Sequence, residues 1–172
     1  MAALLIRFLK ICLLSQGPQD LPYSSGLLRV ALLVYFATGV LGLTTLMTFE
    51  ESLPVMLVDI ALLMTYSGLV LKAFNKTQRF VQMVSALAGV GAIFQLVEWP
   101  LQLMIASSAA ATQLSAEVSI ILLVAVSWNL AVFAHIFRET FEIRLLSAFL
   151  LTVAFAIINI TVHQMLFKNL GV

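Results

Sequence analysis

The sequence predicts an all-α polytopic membrane protein: five transmembrane helices in a compact bundle, preceded by an amphipathic interfacial helix. Three observations carry this. The 172 residues are 62% hydrophobic and only 10% charged, with a mean hydropathy of +1.10, whereas soluble domains are roughly half apolar and a quarter charged. Five apolar runs are each long enough to cross ~30 Å of hydrocarbon at 1.5 Å per residue. The cations gather on alternate connections, which is what an odd number of crossings produces.

A single transmembrane domain over 1–172 suits this length. The lead segment 1–15 comes first. At 100° per residue Leu5, Phe8, Leu9 and Cys12 share one face and Arg7 and Lys10 lie opposite, the pattern of a helix lying in the membrane interface. Arg7 and Lys10 interrupt the apolar run and no A-x-A site follows, so it does not read as a cleaved signal peptide. Gly17-Pro18 and Leu21-Pro22 break the helix, and Asp20, Ser24 or Ser25 can cap the next one.

The spans are expected at about 26–49, 53–74, 80–106, 116–137 and 143–167. With the N-terminus cytoplasmic, Arg7, Lys10, Arg29, Lys72, Lys76, Arg79, Arg138 and Arg144 fall inside and only Lys168 outside, with the C-terminus external. Glu50 and Glu51 then occupy an external loop. Ser107–Ser115 reads as a small uncharged surface loop, and the run from Arg138 to Arg144 as a salt-bridged cytoplasmic loop.

Lipid is as apolar as leucine, so small and polar residues mark where helices touch. In the third span Ala88, Gly91, Gln95, Glu98 and Gln102 form one stripe. Ala148, Thr152, Ala156, Asn159 and His163 do so in the fifth, and Ala31, Thr38, Gly42 and Thr45 in the first. Counted from the outer span ends, Asp59, Glu98 and His163 share a layer ~6–11 Å deep. Asn159, Gln102 and Gln164 lie near it, and Glu117 at the mouth of the fourth span. An ionisable side chain in hydrocarbon costs ~2.5–3.5 kcal/mol or more, so such groups face one another or a wet cavity.

This layer, Asp59, Glu98 and His163 with Asn159 and Gln102, is the candidate site for a cation, a proton or a polar ligand. The alternative reading is structural: Trp99 in the interfacial aromatic belt, with Pro100 ending or kinking the helix. Scattered ligands without spacing give no metal site, and no cofactor is expected. His135 and His163 lie at opposite ends of their spans and cannot share a haem. The absence of Walker, G-x-S-x-G, H-E-x-x-H and C-x-x-C motifs sets the corresponding enzymes aside. Mid-span Trp128 and Asn129 read as packing and an interhelical hydrogen bond. A net charge of +1 gives no basic face for nucleic acid.

The stretch Gly17 to Ser24, "GPQDLPYS", resembles the lead segment of small uncharacterised bacterial inner-membrane proteins that carry G-P-Q-D-L-P-x-S before the first span. The short lead and five spans also resemble the Yip family of five-span membrane proteins, although the D-L-Y-G-P-type motif of that family is missing. The first resemblance implies a bacterial inner-membrane location. The second implies a non-enzymatic scaffold or accessory subunit that associates with other membrane proteins or with itself in the lipid bilayer. A small permease, or a cation- or proton-binding membrane protein using the polar layer, is the alternative.

Overall fold

The computed structural model describes residues 2–108 and 116–168, with side chains for 3–104 and 118–168. The described residues form six α-helices: α1 Ala2–Cys12, α2 Ser25–Leu43, α3 Phe49–Ala73, α4 Phe80–Ser108, α5 Ala116–Phe141 and α6 Leu145–Leu166. The last five are long and apolar enough to cross a membrane. Residues 109–115, most of the expected small loop, and the Glu117 side chain lie outside the described residues.

The central helix is α4, which packs against α1, α2, α3 and α5, while α6 packs on α5 and α3. Its composition explains its position. Met83, Val84, Ser85, Ala86 and Ala88 are fully buried, and two glycines let bulky neighbours approach its backbone. A Cβ at Gly89 would stand 2.3 Å from the Phe8 ring, and one at Gly91 would stand 2.5 Å from the Tyr35 ring. The expected stripes are the contact faces: Ala31, Gly42, Ala88, Ala148, Thr152 and His163 are all buried.

The helix ends depart from the sequence reading. The third helix starts at Phe49 because Thr48 and Glu51 form a capping box, the Thr48 hydroxyl accepting from the Glu51 N–H while the Glu51 carboxylate accepts from the Thr48 N–H. Glu50 and Glu51 therefore sit in the first turn, where the helix dipole favours anions, and not in a free loop. Helix α4 neither ends nor breaks at Pro100, continuing to Ser108. Helix α5 runs through Phe141, so Arg138 to Phe141 are helical and the connection shrinks to Glu142–Arg144. That run is not salt-bridged internally. Glu142 instead pairs with Lys76 at 3.1 Å and Arg79 at 2.6 Å, and the same cations donate to α5's terminal carbonyls at Thr140 (2.7 Å) and Phe141 (3.1 Å). They cap orphan acceptors as well as pairing a charge.

Hydrogen bonds from Lys76 and Arg79 hold the Glu142 carboxyl below the usual carboxylate range. Its contribution to stability is therefore present above the ordinary pKa of ~4.3 and lost as pH falls through the lower folded value. Glu142→Gln is expected to unfold slightly earlier than wild type at pH 7, with the difference shrinking as pH falls below the ordinary carboxylate range, as read by thermal unfolding in detergent. The effect is small because the pair is solvent-screened.

The lead segment is stitched into the bundle. Helix α1 ends at Cys12, short of the expected 1–15. It buries Phe8, Ile11 and Cys12 and leaves Leu5, Ile6 and Leu9 exposed. Leu5 and Leu9 are thus not on the buried face, because α4 and α5 take the Phe8–Ile11–Cys12 side. Trp128 Nε1 donates to the Cys12 carbonyl at 3.1 Å, His135 Nε2 meets the Gln16 carbonyl at 3.0 Å, and Gln82 donates to the Leu21 carbonyl at 2.8 Å. Within "GPQDLPYS", Asp20 accepts from the Gly17 N–H, Pro18 and Leu21 are buried, and the Ser24 hydroxyl caps α2 by accepting from Leu27 N–H. The motif acts as a clasp between α1, α4 and α5.

Candidate functional site

Asp59 lies about ten residues into α3, ~15 Å along the helix. Both of its carboxylate oxygens are engaged. The Tyr35 hydroxyl of α2 donates to Oδ2 at 2.6 Å, and the Asn159 amide of α6 donates to Oδ1 at 2.6 Å. One carboxylate thus ties together three helices that are far apart in sequence, through short charge-assisted bonds.

His163, one turn beyond Asn159, is buried. Its Nδ1 stands 2.8 Å from the Asn159 carbonyl and its Nε2 3.3 Å from the Val55 carbonyl. Carbonyls only accept, so a ring with one N–H serves one of them, and a doubly protonated ring serves both. His163 does not bond Asp59. The link between them is Asn159, whose side chain holds the acid and whose backbone faces the imidazole.

Two cavities flank the Tyr35–Asp59–Asn159 unit. One, of about 290 Å³, is also lined by Gln95, Gln102 and His163. The other, of about 270 Å³, replaces these with Glu98, Asn129, Thr152, Phe133 and Phe155. Gln95 accepts a hydrogen bond from Thr38 at 2.5 Å. Gln102 Oε1 lies against Gly42 without a hydrogen-bond partner, and the Glu98 carboxylate has the Asn129 amide as its partner.

All five residues expected at the site therefore line this pair of cavities. Asp59, Asn159, His163 and Gln102 share the first cavity, and Glu98 joins Asp59 and Asn159 in the second. The Trp99 Nε1 is buried without a hydrogen-bond partner. Among the described residues no three His, Cys, Asp or Glu side chains converge as a metal site, and the only ion pairs are those of Glu142.

No family model, curated protein or solved structure matches this chain.

Tyr35 is the main residue the sequence reading missed. The signal was present: it stands four residues after Ala31 and three before Thr38, on the stripe already assigned to helix contact. A tyrosine in an apolar span looks like bulk until a carboxylate is found opposite its hydroxyl.

Proposed function

We propose that this is a multi-pass membrane protein that binds a small cation or a proton at Asp59, serving as a small permease or cation-binding protein. One observation carries the reading: a carboxylate within an apolar bundle, held by donors from two other helices, lines both cavities and has no cationic partner among the described side chains. Leaving such a charge uncompensated costs several kcal/mol, on the order of the penalty for an ionisable group in hydrocarbon, and an incoming cation relieves it.

The reading extends to location. The gathering of Arg29, Lys72, Lys76, Arg79, Arg138 and Arg144 at one end supports a cytoplasmic N-terminus and an external C-terminus in a bacterial inner membrane.

The test is uptake and binding of protons and sodium by the purified protein in liposomes. Asp59→Asn, which keeps shape and removes charge, is expected to abolish both, and Glu98→Gln to weaken them. Unchanged uptake and binding in a folded Asp59→Asn protein would overturn the proposal. A scaffold or accessory-subunit role is the second reading, favoured by the outward apolar face Leu5, Ile6 and Leu9 of α1. A stoichiometric partner that co-purifies with wild type and is lost on Leu5→Ser/Leu9→Ser would support it.

A further inference from the structure

We infer that the groove between α5 and α6 holds one anionic phospholipid, with its phosphate at Arg138 and an acyl chain running deeper along the two helices. This goes beyond the cation site, sharing with that reading only the multi-pass membrane architecture. The groove has a volume of about 530 Å³, within the range of ligand sites. Ala131 and Ala134 of α5 and Leu145, Leu146 and Phe149 of α6 line it, and its polar side chains are His135 and Arg138. The three α6 residues are exposed, so the groove faces whatever surrounds the bundle.

Polarity is ordered along the helices as it is along a lipid. Arg138 stands three residues from the end of α5, ~5 Å in, and Ala131 ten residues in, at ~15 Å. Arg138 is exposed and its charge is unanswered. The two acids beside it are engaged elsewhere: Glu139 accepts from Gln19 at 3.3 Å, and Glu142 pairs with Lys76 and Arg79. His135 Nε2 is taken up by the Gln16 carbonyl. A guanidinium with free planar donors is suited to phosphate. The first turn of α6, which carries Leu145 and Leu146, holds no acid and has no side-chain cap, and Arg144 precedes it. Its unpaired N–H groups and that second cation add to the positive potential at this end.

Leu14 supplies a further apolar wall from the α1 side. Its backbone is left-handed, with φ 58°, a conformation a leucine adopts only at a cost. The bonds from Trp128 to the Cys12 carbonyl and from His135 to the Gln16 carbonyl fix the chain on either side of it, and so hold the leucine at the groove. A single free cation above an otherwise apolar trough matches an amphiphile with one anionic end.

The experiment is native mass spectrometry of the full-length protein in detergent with equal amounts of dioleoylphosphatidylglycerol and dioleoylphosphatidylcholine, which share their chains and differ in net charge. Wild type is expected to retain one phosphatidylglycerol in preference. Arg138→Gln is expected to weaken that binding about fivefold, the worth of one cation near an anionic surface, and to leave phosphatidylcholine unchanged. Arg138→Lys keeps most of the preference and controls for folding, and Arg29→Gln, a cation outside the groove, keeps it too. Equal retention of the two lipids overturns the inference, as does a preference that Arg138→Gln leaves intact or that Arg29→Gln lowers as much. Displacement by inorganic phosphate at the lipid's concentration, or a dimer that excludes lipid, also overturns it. Incorporation into vesicles without lipid preference sinks this inference alone, whereas a protein that does not incorporate sinks the membrane reading with it.

Discussion

Asp59→Leu is expected to destabilise the bundle by about 2 kcal/mol or more, and Asp59→Asn by much less. The leucine strands the Tyr35 hydroxyl and the Asn159 amide, which both donate to the carboxylate at 2.6 Å. Each unsatisfied buried group costs ~1–3 kcal/mol in protein interiors, with smaller values averaging ~0.6 kcal/mol measured for hydrogen bonds in membrane bundles. Asparagine can still accept from one donor, and amide and hydroxyl reorientation serves the other. The comparison separates the two roles of this residue, since charge is lost in both variants and the three-helix tie in only one. Unfolding by SDS titration reads the difference. Equal stability of the two variants would mean that the tie contributes nothing to the fold, and that Asp59 is retained for its charge alone.

The second large effect concerns the lead segment. Gly89→Val places a branched side chain where the Phe8 ring stands 2.3 Å from a single Cβ, and overpacking of this kind costs ~1–3 kcal/mol. The ring is the outermost part of the contact, so α1 gives way before α4 does. Cys12 reports it. Burial pushes its thiol up to about 11, so thiolate is scarce at pH 8 and maleimide labelling is expected to be slow. Undocking returns the thiol toward its ordinary ~8.5 and raises the labelling rate about a hundredfold. Ile11, fully buried beside Cys12, would be uncovered with it. A labelling rate unchanged by Gly89→Val would show that α1 is held by its carbonyl contacts to Trp128 and His135 and not by the Phe8–Gly89 packing.

The two effects divide the molecule into a clasp and a core. The clasp takes in α1, the "GPQDLPYS" turn and the α5 end where Arg79 and Lys76 collect carbonyls and Glu142. The core holds the polar unit. Helix α4 belongs to both, with Gly89 facing α1 and Gly91 facing Tyr35, which is why a helix of small residues occupies the centre.

The amino-acid order alone determined that the chain is helical, that five helices are apolar enough for a membrane, and which face of α2, α4 and α6 touches another helix. These follow from local quantities: hydropathy summed over a span-length window, and a 3.6-residue period that places Ala148, Thr152, Asn159 and His163 on one side. It also singled out Asp59, Glu98, His163, Asn159 and Gln102, because a polar group in an apolar run costs too much to lack a reason. The tertiary structure alone decided who meets whom. That Asp59 takes its donors from Tyr35 and Asn159, that His163 faces two carbonyls, that Glu98 belongs to the aromatic cavity, and that Phe8, Ile11 and Cys12 turn inward all depend on helix rotations and offsets. Those are set by packing between segments a hundred or more residues apart, where no periodicity within one helix reaches.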